Sequence, residues 1–83
     1  MTQNITKIST YQHKYDDEHD VLHIFFPPYA PSYDDEEYPG IIIKRSVTDE
    51  RITGFVIIDY KKNKVIAQKL YPQFKYIFQL APN

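Results

Sequence analysis

No cysteine occurs among the 83 residues, so the chain offers no disulfide, no thiolate metal site and no thiol nucleophile. Packing, with help from oligomerisation, has to hold the fold. Glycine is nearly missing as well. Gly40 and Gly54 are the only two, which excludes a glycine-rich phosphate loop, and no serine sits in a nucleophile-elbow context. No apolar run approaches the ~20 residues that a membrane-crossing helix needs. The opening MTQNITKISTYQHK lacks the apolar core of a signal peptide. These absences set the expectation of a cytoplasmic protein with no membrane contact, no cofactor and no resident metal. Asn4-Ile5-Thr6 fits a glycosylation sequon, but without a secretory signal it is read as chance.

What is present is a short chain with a divided charge. Residues 1–83 are enough for a single domain, and one of this size buries only about 60–65% of its unfolded surface. The net charge of −1 conceals two lysines against eight acids up to Ile43, then eight basic residues against three acids. Such asymmetry points to partners, or to two halves that lie side by side and offset each other.

Tyr11, His13 and Tyr15 alternate with polar residues and predict a first strand. Asp16 to Asp20 favours a turn, and Val21 to Phe26 returns as a second strand, which completes a hairpin. Pro27 to Pro39, rich in proline, tyrosine and acid, is expected to be a loop. Gly40 then admits a strand from Ile41 to Arg45, and Ile52 to Tyr60 pairs with it. Gly54 is placed for a bulge or a close backbone approach. Helix formers from Lys61 to Tyr71 predict a short helix that stops before Pro72. Gln73 to Leu80 alternates Phe74, Tyr76, Phe78 and Leu80 against Gln73, Lys75, Ile77 and Gln79, as a strand or an extended arm would. The fold expected is α+β: a four-stranded antiparallel β-meander over residues 11–62, then a short C-terminal helix and an extended aromatic arm over residues 63–83.

The strands carry apolar residues on both faces, and one short helix covers only one of them. The arm or a second molecule has to cover the other, because monomers tolerate only a few hundred Å² of contiguous apolar surface. A homodimer is therefore expected.

Tyr15-Asp16-x-Glu18-x-Asp20-x-Leu22-x-Ile24 resembles the opening signature of the domain-of-unknown-function 2283 family of short bacterial proteins. Glu36-Glu37 before Gly40-Ile41-Ile42 is similar to that family's central step, and Ile52-Thr53-Gly54-Phe55-x-Ile57-x-Asp59 to its last strand. The resemblance covers Tyr11 to Lys62. His23 stands where the family often has an aromatic residue, and the tail from Lys64 departs from its usual short helix by adding Phe74, Tyr76 and Phe78. It implies a compact antiparallel sheet with a terminal helix and no established activity. Members are suspected to be partner halves of toxin–antitoxin-like pairs, which implies binding.

Candidate chemistry is sparse. Asp16, Glu18 and Asp20 imitate the start of a calcium loop, but Val21 and Pro27 occupy the places that need glycine and glutamate. His19 and His23 are four apart yet lie across a turn and strand, and His13 would join His23 on one face of the hairpin. No fourth zinc ligand accompanies them. His13 and His23, with lysine or arginine, would be the only candidates for a metal-independent ribonuclease. Lys61, Lys62, Lys64, Lys69 and Lys75 interleave with Tyr60, Tyr71, Phe74 and Tyr76, a pairing of cations and stacking faces that suits single-stranded nucleic acid. Pro28-Tyr29-Ala30-Pro31 is a minimal PxxP.

The leading expectation is a non-catalytic protein-binding module, antitoxin-like, whose acidic surface (Asp16, Asp17, Glu18, Asp20, Asp34, Asp35, Glu36, Glu37) faces a basic partner. Phe74, Tyr76 and Phe78 would anchor the contact or the dimer. The alternative is a nucleic-acid binder or ribonuclease using the basic aromatic C-terminal segment.

Overall fold

Leu22 and Ile24 point to one side of an extended segment and Val21, His23 and Phe25 to the other, because side chains alternate across a strand. Ile41 and Ile43 repeat the pattern, as do Phe55 and Ile57. All six inward side chains are fully buried. A computed structural model describes residues 11–80 and sets these segments in one five-stranded antiparallel sheet. The Asn4 sequon and residues 81–83 lie outside the described residues.

The strands are β1 (Gln12–Asp16), β2 (Val21–Phe25), β3 (Ser32–Tyr38), β4 (Ile41–Ser46) and β5 (Ile52–Ile58). Two helices follow, α1 (Tyr60–Leu70) and α2 (Lys75–Leu80), joined by a single 3-10 turn at Pro72–Phe74. The order across the sheet is β1-β2-β5-β4-β3. The α+β class, antiparallel sheet and terminal helix are as expected, but two features differ.

First, the expected loop contains a fifth strand, so the sheet is not a four-stranded meander. β3 pairs with β4 in register Asp34 to Lys44 and Asp35 to Ile43. Its acids find cross-strand cations: Lys44 Nζ lies 2.7 Å from Asp34, and Arg45 lies 3.2 Å from Asp35 and 3.4 Å from Glu37. Opposite charges across an antiparallel pair stabilise it and offset the poor strand propensity of aspartate. Second, the described residues of the tail form a helix in place of the expected extended arm. Phe74, Ile77 and Phe78 recur at the three- and four-residue steps of a helix, and Ile77 and Phe78 are buried.

Gly54 has the close approach expected of it. A Cβ there would stand 2.4 Å from the carbonyl oxygen of Ile24 in the neighbouring β2. The pairing of β4 with β5 shifts register beside it, between Lys44 and Arg45. That irregularity lets Ile52 pack against the core although Gly54, Val56 and Ile58 face the other way.

Both helices lie on the same face of the sheet. The Phe55 ring centroid lies 5.1 Å from Phe74, 5.4 Å from Tyr71 and 5.4 Å from Phe78. The residue before α1, Asp59, is left-handed (φ 54°) and forms no side-chain cap. Its first amides are completed from elsewhere. Tyr60 N–H donates to the Asp20 carbonyl at 2.9 Å, and Lys61 N–H donates to the Asp20 carboxylate at 3.2 and 3.3 Å. Lys62 and Asn63 donate to the Asp59 carbonyl. A turn 41 residues upstream therefore closes the helix.

Three tyrosine hydroxyls are committed to this layer. Tyr15 donates to Asp20, Tyr71 to Glu37 and Tyr60 to the Phe78 carbonyl. The hydrogen bond to Asp20 pushes Tyr15 up to about 12, and burial does the same for Tyr60 and Tyr71. Unfolded tyrosine ionises near 10, so above that pH the folded chain holds protons that the unfolded chain has lost. Stability is therefore complete below pH 10 and declines as pH rises towards 12. In an ultraviolet titration, Tyr15, Tyr60 and Tyr71 should ionise late, towards pH 12 and together with unfolding. Ionisation of these three near pH 10, with the fold intact, would contradict this.

Candidate functional site

With both helices on one side, the opposite face of the sheet has no layer over it among the described residues. Its side chains follow from the register. One row across the five strands reads Lys14, His23, Val56, Ile42, Glu36. The next reads Gln12, Phe25, Gly54, Lys44, Asp34. Val21 and Ile58 lie at one end of the face, beside Asp16. The middle is therefore apolar and aromatic and the edges are charged. Val21, His23, Phe25, Ile42 and Val56 are only half-buried, and Ile58 is 39% exposed.

Tyr29 folds back over one end of the face. Its ring meets Phe25 edge-on at 6.3 Å and its hydroxyl donates to Gln12 at 2.6 Å. Beneath it, where Gly54 contributes no side chain, a hollow of about 530 Å³ opens between Phe25, Tyr29, Ser32 and Lys44. It holds one cation, already paired with Asp34, and no histidine or unpaired carboxylate. That lining gives it no acid–base pair.

The eight acids expected to form one surface are divided. Asp16, Asp17, Glu18 and Asp20 lie at or beside the β1–β2 turn, while Asp34, Asp35, Glu36 and Glu37 lie on β3 at the opposite edge of the sheet. Most have local duties. Asp16 accepts from the Glu18 and His19 amides and from the His19 ring at 2.9 Å, a bond that holds its carboxyl below the usual range. Asp20 closes α1. Asp34, Asp35 and Glu37 pair across to β4, and Glu36 accepts the Gly40 amide at 2.8 Å. Acids on an edge strand also discourage edge-to-edge addition of another chain.

The aromatic anchors are divided too. Phe78 is fully buried and Phe74 packs against Phe26 at 5.4 Å, so both belong to the core. Tyr76 alone stands out, 68% exposed.

Lys61, Lys62, Lys69 and Lys75 are exposed or nearly so and Lys64 is half-exposed, with its Nζ 5.9 Å from the Tyr60 ring centroid. Tyr60 and Tyr71 are buried, so the lysines lack the row of open rings that base stacking needs. His13 and His23 fall on opposite faces, since His13 pairs with Ile24 and Lys14 with His23. They cannot act on one substrate or hold one ion. Asp16, Glu18 and His19 do gather their ligand atoms within 4.8 Å, but the hydrogen bonds of the turn account for that grouping.

The architecture and site together define a small two-layer α+β protein with one face of its sheet left open. Among the described residues, no helix is long and apolar enough to cross a membrane. No family model, no curated protein and no solved structure matches the chain. Function has to be read from the geometry alone.

The open face was half visible in the sequence, where apolar residues on both sides of each strand demanded a second cover. What hid its true shape was α2, which lies on the face that α1 already occupies.

Proposed function

We propose that this chain is a small non-catalytic protein-binding module of the cytoplasm whose contact surface is the open face of its sheet. The observation that carries the reading is the apolar centre of that face: Val21, Phe25, Ile42, Val56 and Ile58, all at least partly open to solvent. A centre of this kind inside a charged rim (Lys14, Asp16, Asp34, Glu36 and Lys44) has the layout of a protein–protein interface. Asp17 and Glu18, exposed at one corner, add charge that would steer a basic partner, such as the small toxic enzyme that the family resemblance implies. The nucleic-acid alternative keeps its lysines but not its stacking rings, and ranks second.

A photo-reactive residue at Val56 tests the reading, with the same residue at Val65 on the exposed side of α1 as control. In cells, Val56 should give adducts with protein, counting the chain itself, and Val65 should not. Adducts from Val65 alone, or with nucleic acid alone, would refute it.

A further inference from the structure

We infer that the occupant of the open face is a second copy of this chain, related to the first by a twofold axis that runs along β5. The inference rests on the open-face reading above and names its partner.

The row across the centre of the face starts with Lys14 on β1 and ends with Glu36 on β3, at the two outer edges of the sheet. Between them stand His23, Val56 and Ile42, with Val56 on the central strand. Rotating a copy by half a turn about an axis along β5, then laying it face to face, sets this row against its own reverse. Lys14 then lies over Glu36 of the second copy, His23 over Ile42, and Val56 over itself. Each end closes as one ion pair, two per dimer.

The neighbouring row keeps the same register, with Gln12 opposite Asp34 of the second copy, Phe25 opposite Lys44 and Gly54 opposite Gly54. Each copy carries its Tyr29 over this row, so the central row is the one that makes the direct contacts. The other in-plane axis, across the strands, would stack Lys14 on Lys14 and Glu36 on Glu36. Like charges set against each other suppress that arrangement. Charge therefore selects one of the two face-to-face arrangements.

Area sets the strength. Five strands spaced ~4.8 Å apart and about three side-chain rows deep present roughly 450 Å² on each copy. The total of about 900–1,000 Å² falls at the lower limit for a specific complex, so the dimer is reversible, with a dissociation constant in the micromolar range. Aligned sheets of ordinary twist would cross at about 30°.

Sedimentation of the full-length chain from about 1 μM to 1 mM tests this, across the concentrations where such a dimer exchanges. A reversible monomer–dimer equilibrium is expected. Lys14→Glu and Glu36→Lys should each weaken it by about tenfold or more, and the double exchange should return it to within about threefold of the original. All three variants change exposed or rim positions, and unaltered circular dichroism confirms that they fold. A double exchange no better than either single change overturns the proposed axis. A chain that stays monomeric throughout overturns the second copy as occupant. The open-face reading then survives if Val56 still cross-links another protein, and falls with the inference if it does not. A dimer unaffected by Val56→Lys forms through another surface and overturns the inference, and the Val56 cross-link again decides the open-face reading.

Discussion

Replacing Phe55 with alanine should cost the protein about 3–5 kcal/mol, the usual range for deleting a buried ring. Phe55 is fully buried on the central strand and touches four other rings: Phe26, Tyr71, Phe74 and Phe78. These come from the residue after β2, the close of α1, the 3-10 turn and α2, so one side chain fastens both helices to the sheet. The loss has transfer and cavity parts, and collapse is hindered because the surrounding rings are stiff. A domain of this size has only about 4–12 kcal/mol in total. Phe55→Ala should therefore be largely unfolded, or on the edge of it, at room temperature. Phe55→Leu, which keeps most of the volume, should lose less than half as much. Denaturant titration of both variants decides the matter. A loss below about 1.5 kcal/mol for the alanine variant would mean that the rings close over the gap and that Phe55 is not the centre of the core.

Asp20→Ala should cost about 2–3 kcal/mol, although Asp20 sits in a turn beside acids that do much less. Three losses combine. The Lys61 amide at the start of α1 loses its carboxylate acceptor, the Tyr15 hydroxyl loses its partner at 2.6 Å, and alanine must adopt a left-handed backbone with φ near 57°. Asparagine tolerates that backbone and retains an acceptor oxygen, so Asp20→Asn should lose less than half as much. Asp17→Ala, whose carboxylate has no bonded partner among the described residues, serves as control and should change stability by less than about 0.5 kcal/mol. Equal losses for Asp20→Ala and Asp17→Ala would show that the closure of α1 across the fold contributes nothing.

These two residues also show what the sequence made legible. Phe55 could be placed in a buried strand because Ile52 to Tyr60 is rich in apolar residues and flanked by polar turns. Asp20 looked like one acid among several, since no local pattern announces a cap that acts 41 residues away. β3 was hidden for a related reason. Its residues read as loop, one after another, and only their partners reveal the strand. Counting outward from Pro39-Gly40, Asp34 and Asp35 meet Lys44 and Arg45 at nearly mirrored positions, and that complementarity was the available signal. In the tail, two periods competed. Phe74, Tyr76 and Phe78 alternate as a strand does, whereas Phe74, Ile77 and Phe78 follow a helix, and leaving out Ile77 favoured the wrong one. The open face was legible only as an excess of apolar residues, because its boundaries depend on which side the last helix takes.

The strand order has a consequence for how the chain is made. β5 is the last strand in sequence and the middle one in space. During synthesis at about 5–20 residues per second, the edges and their neighbours are delivered before the strand that joins them. Until residues 52–78 emerge, Leu22, Ile24, Ile41 and Ile43 have neither a central neighbour nor a helical cover. The first half is a sheet without a middle, and folding waits for its final third to arrive.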